Sequence, residues 1–137
     1  KVHLPQDVIV SEKFSNSAFT DTVNIYSIPR TMEGLDIGPS SIKKFNKIIL
    51  NSKTILWNGP LGVFEMSNFQ NGTKQVALSI ANATKLGAFS LVGGGDSISA
   101  INLFGMDDKF SYISTGGGAM LESIEGKVLP GIKAVLN

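Results

Sequence analysis

Cysteine is absent from this 137-residue sequence, and histidine occurs only once, at His3. The lack of cysteine excludes disulfides, thiolate chemistry and zinc sites built from cysteine. The single histidine excludes a metal site made of several histidines, and we expect His3 to be a surface residue. Chemistry in this protein therefore has to come from carboxylates, hydroxyls, cations or the backbone.

Long apolar runs are also missing, because no stretch reaches the roughly 18 residues that a membrane-spanning helix needs. No signal or transit peptide is visible. The net charge is +1 without a basic block, so we expect neither nucleic acid nor a membrane as a partner. With 42% hydrophobic residues, the composition is that of an ordinary globular domain, and we expect a cytoplasmic protein.

Two familiar phosphate-binding motifs are absent as well. Neither Gly-x-x-x-x-Gly-Lys-[Ser/Thr] nor Gly-x-Gly-x-x-Gly after a strand occurs. The missing second motif, and the missing acidic residue about 20 positions beyond it, disfavour a dinucleotide-dependent dehydrogenase. Lysine and arginine do not occur between Lys85 and Lys109. A polyphosphate bound in that part of the chain would need a metal ion, cations from elsewhere, or both.

Glycine, in contrast, is plentiful, and three consecutive glycines lie within residues 89–104, the segment around which the predicted fold is organised. Phe89–Val92 predicts a buried strand, Gly93–Gly95 a turn, and the apolar spacing that follows predicts a helix ending at Gly105. Such a turn leaves backbone N–H groups and the positive end of the helix dipole facing outward, which favours an anion. A phosphate site and a simple tight turn both fit this stretch taken alone.

Strand-like and helix-like patterns alternate along the rest of the chain. Val8–Val10 and Val23–Ile28 predict two strands that form a small antiparallel ribbon at the edge of a sheet. The other predicted elements are a helix led in by Gly34–Gly38 and starting at Pro39, a strand at Thr54–Trp57, a helix from about Thr73 to Leu86 capped by Thr73, a strand at Tyr112–Ser114, a short helix at Ala119–Ile124 and a helical stub from Leu129. This alternation predicts an α/β fold with a mostly parallel, doubly wound, Rossmann-like sheet.

Three glycine-rich turns follow strands of this predicted sheet: Asn58–Gly62, Gly93–Asp96 and Thr115–Gly118. Ligands of open α/β sheets bind beyond the carboxyl ends of the strands. We therefore expect the three turns to lie side by side and to form one phosphate or nucleotide site.

Three polar residues near these turns are candidates for chemistry. Asp96 can hold a hydrated Mg²⁺ or cap the helix, and its residue type favours the cap. Ser97 can donate its hydroxyl to a phosphate or be a plain first-turn residue. Glu65 can bind a ribose diol or be an exposed glutamate without a role. Trp57, in a predicted buried strand, is expected to belong to the core rather than to a ligand platform.

Five segments, in the same order and over nearly the whole chain, resemble the signature segments of phosphoglycerate kinase. They are Gly34-Leu-Asp-Ile-Gly-Pro39, Leu56-Trp-Asn-Gly-Pro-Leu-Gly-Val-Phe-Glu65, Val92-Gly-Gly-Gly-Asp-Ser97, Ser114-Thr-Gly-Gly-Gly-Ala119 and Leu121-Glu-Ser-Ile-Glu-Gly-Lys-Val-Leu-Pro-Gly131. The resemblance implies that residues 1–137 are the C-terminal portion of the nucleotide-binding domain of a two-domain kinase, without its N-terminal phosphoglycerate-binding domain. The start at Lys1, without an initiator methionine, fits this expectation.

The resemblance also implies roles for individual residues. Gly34 and Leu35 would line an adenine pocket, Asn58 and Pro60 would flank the nucleotide, and Glu65 would bind the ribose hydroxyls. The phosphates and Mg²⁺ would be met by Gly94, Gly95, Asp96 and Ser97, with Asp96 as the metal contact. The catalytic glycines, which would steady the transferring phosphoryl group, would be Gly116, Gly117 and Gly118. Three positions depart from the common family pattern. Ser97 stands where threonine is usual, Met120 where serine is frequent, and Glu33 where methionine is frequent.

The activity implied by the resemblance is the reversible phosphoryl transfer of glycolysis from 1,3-bisphosphoglycerate to Mg-ADP, giving 3-phosphoglycerate and ATP. The partners would be ADP or ATP, phosphoglycerate and the missing N-terminal part, and we expect a monomer at full length. The alternative is a non-catalytic nucleotide-binding or scaffold module of the same fold. The presence of Asp96 and Glu65 argues against that alternative, because a scaffold needs neither carboxylate.

Overall fold

The computed structural model describes residues 1–136, which form two three-stranded sheets and five α-helices. The strands are β1 (Asp7–Ser11), β2 (Asp21–Asn24), β3 (Glu33–Ile37), β4 (Thr54–Asn58), β5 (Phe89–Gly93) and β6 (Tyr112–Ser114). The helices are α1 (Pro39–Leu50), α2 (Asn71–Lys85), α3 (Gly95–Leu103), α4 (Gly117–Ile124) and α5 (Pro130–Val135), with one 3-10 turn at Asp107–Lys109. The α/β class that the alternating pattern predicts is therefore confirmed.

The first sheet is antiparallel, in the order β2-β1-β3. Its β1–β2 pair confirms the predicted ribbon, with Val8 opposite Val23. The second strand is shorter than the predicted Val23–Ile28, because β2 ends at Asn24. There the Asn24 side chain accepts a hydrogen bond from the Tyr26 N–H (3.0 Å), and its carbonyl accepts one from the Ser27 N–H (2.8 Å), which turns the chain away.

The third strand of this sheet, β3, occupies the segment that the sequence predicts only as the lead-in to a helix; the segment does lead into α1 at Pro39, but the strand itself is not predicted. Glycine and aspartate have low strand propensity, which hides the strand from a sequence pattern. Opposite β1, Ile9 pairs with Asp36 but Val10 pairs with Gly34, so Leu35 is the extra residue of a β-bulge. Leu35, Asp36 and Ile37 are all buried, and the bulge interrupts the regular alternation in which neighbouring side chains point to opposite faces.

Helix α1 begins at Pro39, as predicted, and its N-terminus is capped from another element. The Asp7 carboxylate of β1 accepts hydrogen bonds from the Ser40 N–H (2.9 Å), the Ser41 N–H (2.7 Å) and the Ser41 hydroxyl (2.6 Å). A side chain at Gly38 would overlap this carboxylate. The cap joins the antiparallel sheet to the first helix of the α/β unit.

The second sheet is parallel, in the order β4-β5-β6, which confirms the predicted parallel strands. The main core lies between this sheet and helices α2 and α3, and it includes Trp57 as expected. Its buried members are Ile55, Trp57, Val76, Ala77, Ile80, Ala83, Ala88, Val92, Ile101 and Met106. Val92 and Ile101 have no exposed surface, so strand β5 and helix α3 share the centre of this core.

Helix α2 begins two residues before the predicted position, and the predicted cap is wrong. Gln70 occupies the N-cap position, whereas Thr73 lies inside the first turn and has no exposed surface. The Thr73 hydroxyl oxygen instead accepts hydrogen bonds from the Leu61 N–H (3.0 Å) and the Gly62 N–H (3.2 Å). Thr73 therefore holds the preceding loop rather than its own helix.

The helices of residues 1–136 include none with both the length and the apolar character that crossing a bilayer requires. The longest, α2, has 15 residues.

Asp7→Ala should lower the free energy of unfolding by about 2 kcal/mol, because three charge-assisted hydrogen bonds to the start of α1 are lost. Burial raises the pKa of Asp7, but the hydrogen bonds from Ser41 and Ser40 outweigh it and hold the pKa below 3.8. A depressed pKa means that this stabilisation is present above pH 3.8 and is lost as the pH falls through the folded-state pKa.

Urea unfolding of the protein that carries this chain, with and without Asp7→Ala, measures this loss at pH 7 and again under acidic conditions. Glu12→Ala, which removes an exposed carboxylate of the same sheet region, is the control. A loss no larger than that of Glu12→Ala would contradict the capping role of Asp7.

Candidate functional site

The carboxyl ends of the three parallel strands form one row. Asn58 at the end of β4 pairs with Gly93 at the end of β5, and Gly93 pairs with Ser114 at the end of β6. The glycine-rich turns that follow these residues are therefore neighbours, as the sequence predicts. We call these turns the first, second and third turn of the rim: 58–62, 93–96 and 115–118.

The second and third turns touch each other through backbone alone. A Cβ atom built at Gly117 would lie 2.5 Å from the Gly94 nitrogen and 2.8 Å from the Gly94 Cα, distances that real side chains do not reach. A side chain at Gly93 would overlap the Met120 thioether, so Met120 uses the space beside that glycine. Glycine is therefore required at position 117 by backbone packing, independently of any ligand, whereas a side chain at position 93 would have to displace the flexible end of Met120.

Gly94 joins the first two turns and starts helix α3. It occupies the N-cap position with a φ of +88°, a backbone conformation that favours glycine. A Cβ atom there would also lie 2.5 Å from the Asn58 Oδ1 of the first turn. The absence of a side chain lets the start of α3, with its backbone N–H groups, approach the end of β4 closely.

Asp96 lies exposed in the first turn of α3. The expectation that it caps the helix is wrong, because Gly94 is the N-cap residue and the helix has no side-chain cap. Its carboxylate is therefore available at the rim. Residues 1–136 contain no cluster of three metal-ligating side chains. A single carboxylate fits Mg²⁺ that takes its remaining ligands from phosphate oxygens and water.

Ser97 ties the second turn to the first. It has no exposed surface, and its hydroxyl oxygen accepts a hydrogen bond from the Gly59 N–H (2.6 Å). The Trp57 indole N–H donates to the Gly59 carbonyl (2.7 Å), so both backbone groups of Gly59 are held. The structure thus gives Ser97 a structural task, and its contact with a phosphate stays a prediction.

The remaining predicted nucleotide contacts lie on β3 and on the loop after the first turn. Gly34 is exposed and Leu35 is buried. The Leu35 carbonyl accepts a hydrogen bond from the Val63 N–H (2.9 Å), which fastens this loop to β3. Glu65 is exposed on the same loop, next to the buried Phe64. Pro60 is half-buried in the first turn.

Gly116, Gly117 and Gly118 lie in the third turn and at the start of α4. Gly116 occupies the N-cap position, and Gly117 is the glycine that touches the second turn. Two helix starts, those of α3 and α4, therefore meet at the rim. Each presents the positive end of a helix dipole and unpaired backbone N–H groups, which is the arrangement that stabilises an anion.

Asp36 is a buried carboxylate that is not among the predicted site residues. It accepts hydrogen bonds from the Gly72 N–H (2.7 Å) and the Ile37 N–H (2.8 Å). Burial raises the pKa of Asp36 to about 6, and the two N–H donors oppose part of that rise. The only signal in the sequence was a charged residue within the apolar segment Leu35–Ile37, and it is visible only once that segment is known to be a strand.

The parallel sheet and its rim define an α/β protein whose strand ends carry three adjoining glycine turns. A family model described as phosphoglycerate kinase matches residues 1–127. The chain belongs to this family, and the resemblance found in the sequence is confirmed.

Curated relatives and solved structures agree with this assignment. The chain is 58% identical to a phosphoglycerate kinase of Porphyromonas gingivalis over 132 residues, covering 96% of this chain and 32% of that protein. It is 56% identical to the Mycolicibacterium gilvum enzyme, covering 99% of this chain and 34% of that protein. The structure of the Coxiella burnetii enzyme superposes with a TM-score of 0.88 at 43% identity, over 96% of this chain and 33% of that one. The chain thus spans about a third of the length of its relatives and forms part of a domain.

Ser97→Ala should loosen the first turn, because the N–H of the half-buried Gly59 loses its acceptor, at a cost of about 1 kcal/mol in unfolding free energy. Ser97→Thr keeps the hydroxyl and should cost less. Amide hydrogen exchange at Gly59 measures the effect directly, and we expect faster exchange in the alanine variant only. Unchanged exchange at Gly59 would contradict this role for Ser97.

Proposed function

We propose that this chain supplies the nucleotide and magnesium contacts of a phosphoglycerate kinase. The reaction would be the reversible transfer of a phosphoryl group from 1,3-bisphosphoglycerate to Mg-ADP, giving 3-phosphoglycerate and ATP in the cytoplasm. The observation that carries the proposal is the meeting of the three glycine turns and two helix starts at one rim. Family membership supports the choice of reaction.

The proposed contacts combine the geometry of the rim with the residue roles that the family resemblance implies. The starts of α3 and α4 would bind the phosphates through backbone N–H groups, with Gly94 and Gly95 on one side and Gly116–Gly118 on the other. Asp96, exposed in the first turn of α3, would hold Mg²⁺, which shields the phosphate charge when it is bound with the nucleotide. Gly34 and Leu35 would line the adenine pocket, Asn58 and Pro60 would flank the nucleotide, and Glu65 would accept hydrogen bonds from the ribose.

This chemistry needs no general base in the chain. An oxygen of the ADP β-phosphate attacks the phosphorus of the acyl phosphate, and the bond from that phosphorus to the acyl oxygen breaks. The carboxylate of 3-phosphoglycerate leaves with the electron pair, so no proton moves. Catalysis then consists of positioning the two substrates and stabilising the migrating negative charge, which backbone N–H groups at helix starts do.

The cations that such a transfer requires are scarce at the rim. The sequence has no lysine or arginine from 86 to 108, a range that includes all of the second turn and α3. Because the chain spans about a third of its relatives, we propose that the earlier part of the enzyme supplies these cations and the phosphoglycerate site.

The isolated 137 residues should therefore have no turnover and only weak affinity for nucleotide. A coupled assay for ATP formation tests this, with the full-length protein as the positive control. Substantial ATP formation by the isolated chain would contradict the proposed division of the site.

Asp96→Ala in the full-length protein should weaken Mg-ADP binding and lower kcat/KM by roughly 10- to 100-fold, because the metal loses its protein ligand. Calorimetric titration with Mg-ADP gives the affinity independently of activity. Asp107→Ala, at an exposed carboxylate beyond the end of α3, is the matched control.

The same experiment separates the kinase from a non-catalytic module of this fold. Intact Mg-ADP binding and full activity in Asp96→Ala would remove the assignment of this site. A wild-type full-length protein that binds Mg-ADP but forms no ATP would support the non-catalytic alternative instead.

A further inference from the structure

The loop that carries Glu65 is held in a fixed shape, although it has no helix or strand of its own. Residues 63–70 connect the first turn of the rim to helix α2; we call residues 61–72, which add the last two residues of that turn and the first two residues of α2, the Glu65 loop. Phe64 and Phe69 anchor it in the interior, at 5% and 0% exposure. Glu65 follows the first anchor directly and is exposed.

Asp36 binds the far end of this loop. Its carboxylate accepts a hydrogen bond from the Gly72 N–H (2.7 Å), while the other oxygen accepts one from the Ile37 N–H of its own strand (2.8 Å). A Cβ atom at either Gly62 or Gly72 would overlap this carboxylate, so both ends of the Glu65 loop close around it. A buried carboxylate is costly unless such donors compensate it, which makes the contact specific to this loop shape.

Besides the bond from Val63 to Leu35, side chains of Thr73 and Asn16 hold the same loop. The Thr73 hydroxyl oxygen accepts from the Leu61 and Gly62 N–H groups. On the exposed side, the Asn16 side-chain oxygen accepts from the Asn68 N–H (3.0 Å) and from the Ser67 hydroxyl (3.1 Å). None of these contacts involves Glu65 itself, so they fix the loop without occupying its exposed carboxylate.

We propose that Asp36 is a positioning residue for nucleotide binding, which acts by clamping the Glu65 loop so that Glu65 is preorganised for the ribose diol. This inference rests on the proposed function of Glu65 and adds a residue that touches no substrate. A loop that is ordered before binding loses no conformational entropy when the nucleotide binds. The affinity for the nucleotide is therefore higher than with a loop that must become ordered on binding.

Asp36→Asn in the full-length protein tests the clamp, because asparagine has nearly the same size but only one acceptor oxygen for the two N–H donors. We expect the KM for ADP to rise roughly 3- to 10-fold, with little change in kcat or in the KM for 1,3-bisphosphoglycerate. Amide exchange within the Glu65 loop should become faster.

Asp7→Asn is the matched control. It alters another carboxylate that accepts backbone N–H bonds in the same antiparallel sheet, but that carboxylate holds helix α1 instead of the Glu65 loop. We expect it to reduce stability while leaving the KM for ADP unchanged. Thr73→Val, which removes a second tie of the Glu65 loop, should reproduce the Asp36→Asn pattern even if Asp36→Asn folds poorly.

Glu65→Gln separates the clamp from the proposed function. If Glu65 binds the ribose, Glu65→Gln alone raises the KM for ADP, and adding Asp36→Asn raises it by less than the product of the two single effects. An unchanged KM for ADP in Glu65→Gln would overturn the ribose contact itself.

Two other outcomes would overturn the clamp alone. One is a raised KM for ADP in Glu65→Gln with an unchanged KM in both Asp36→Asn and Thr73→Val. The other is unchanged amide exchange in the Glu65 loop of Asp36→Asn.

Discussion

The close approach of the second and third turns depends on one position that carries no side chain, Gly117. Parallel pairing brings the ends of β4, β5 and β6 into one row, but pairing alone would not let the starts of α3 and α4 meet. Backbone contact between Gly117 and Gly94 lets them meet, and it concentrates two helix dipoles at one place. The electrostatic character of the rim is therefore a consequence of packing, and it does not require a cation within the chain.

The antiparallel sheet has a different task from the parallel one. It forms no part of the rim, yet two of its carboxylates reach the α/β unit, Asp7 at the start of α1 and Asp36 at the Glu65 loop. Their environments affect their pKa values in opposite directions. Hydrogen bonds keep the pKa of the more accessible Asp7 low despite some burial, whereas deep burial raises that of Asp36 to about 6. The ionised form of the carboxyl group is therefore stabilised at Asp7, whereas burial destabilises it at Asp36.

Strong periodicity and glycine turns made most of the parallel unit predictable from the sequence. The strands that end at Asn58, Gly93 and Ser114, the helices between them and the shared rim all follow from local patterns. The antiparallel sheet was less accessible, since β3 contains glycine and aspartate and its burial depends on a bulge. The tasks of Thr73 and Ser97 were also hidden, because each hydroxyl bonds to backbone that is distant in sequence, at Leu61 and Gly59 respectively. Tertiary hydrogen bonds of this kind leave no periodic signal.

The bulge at Leu35 makes the length of β3 as important as its composition. Around the extra residue, Leu35, Asp36 and Ile37 are all buried, and Asp36 reaches Gly72 while the Leu35 carbonyl accepts a hydrogen bond from Val63. Removing one residue from β3 would restore regular alternation and turn Asp36 or its neighbours outward, even if every remaining side chain were kept. Substitutions in this strand can thus be tolerated more readily than a change in the number of its residues.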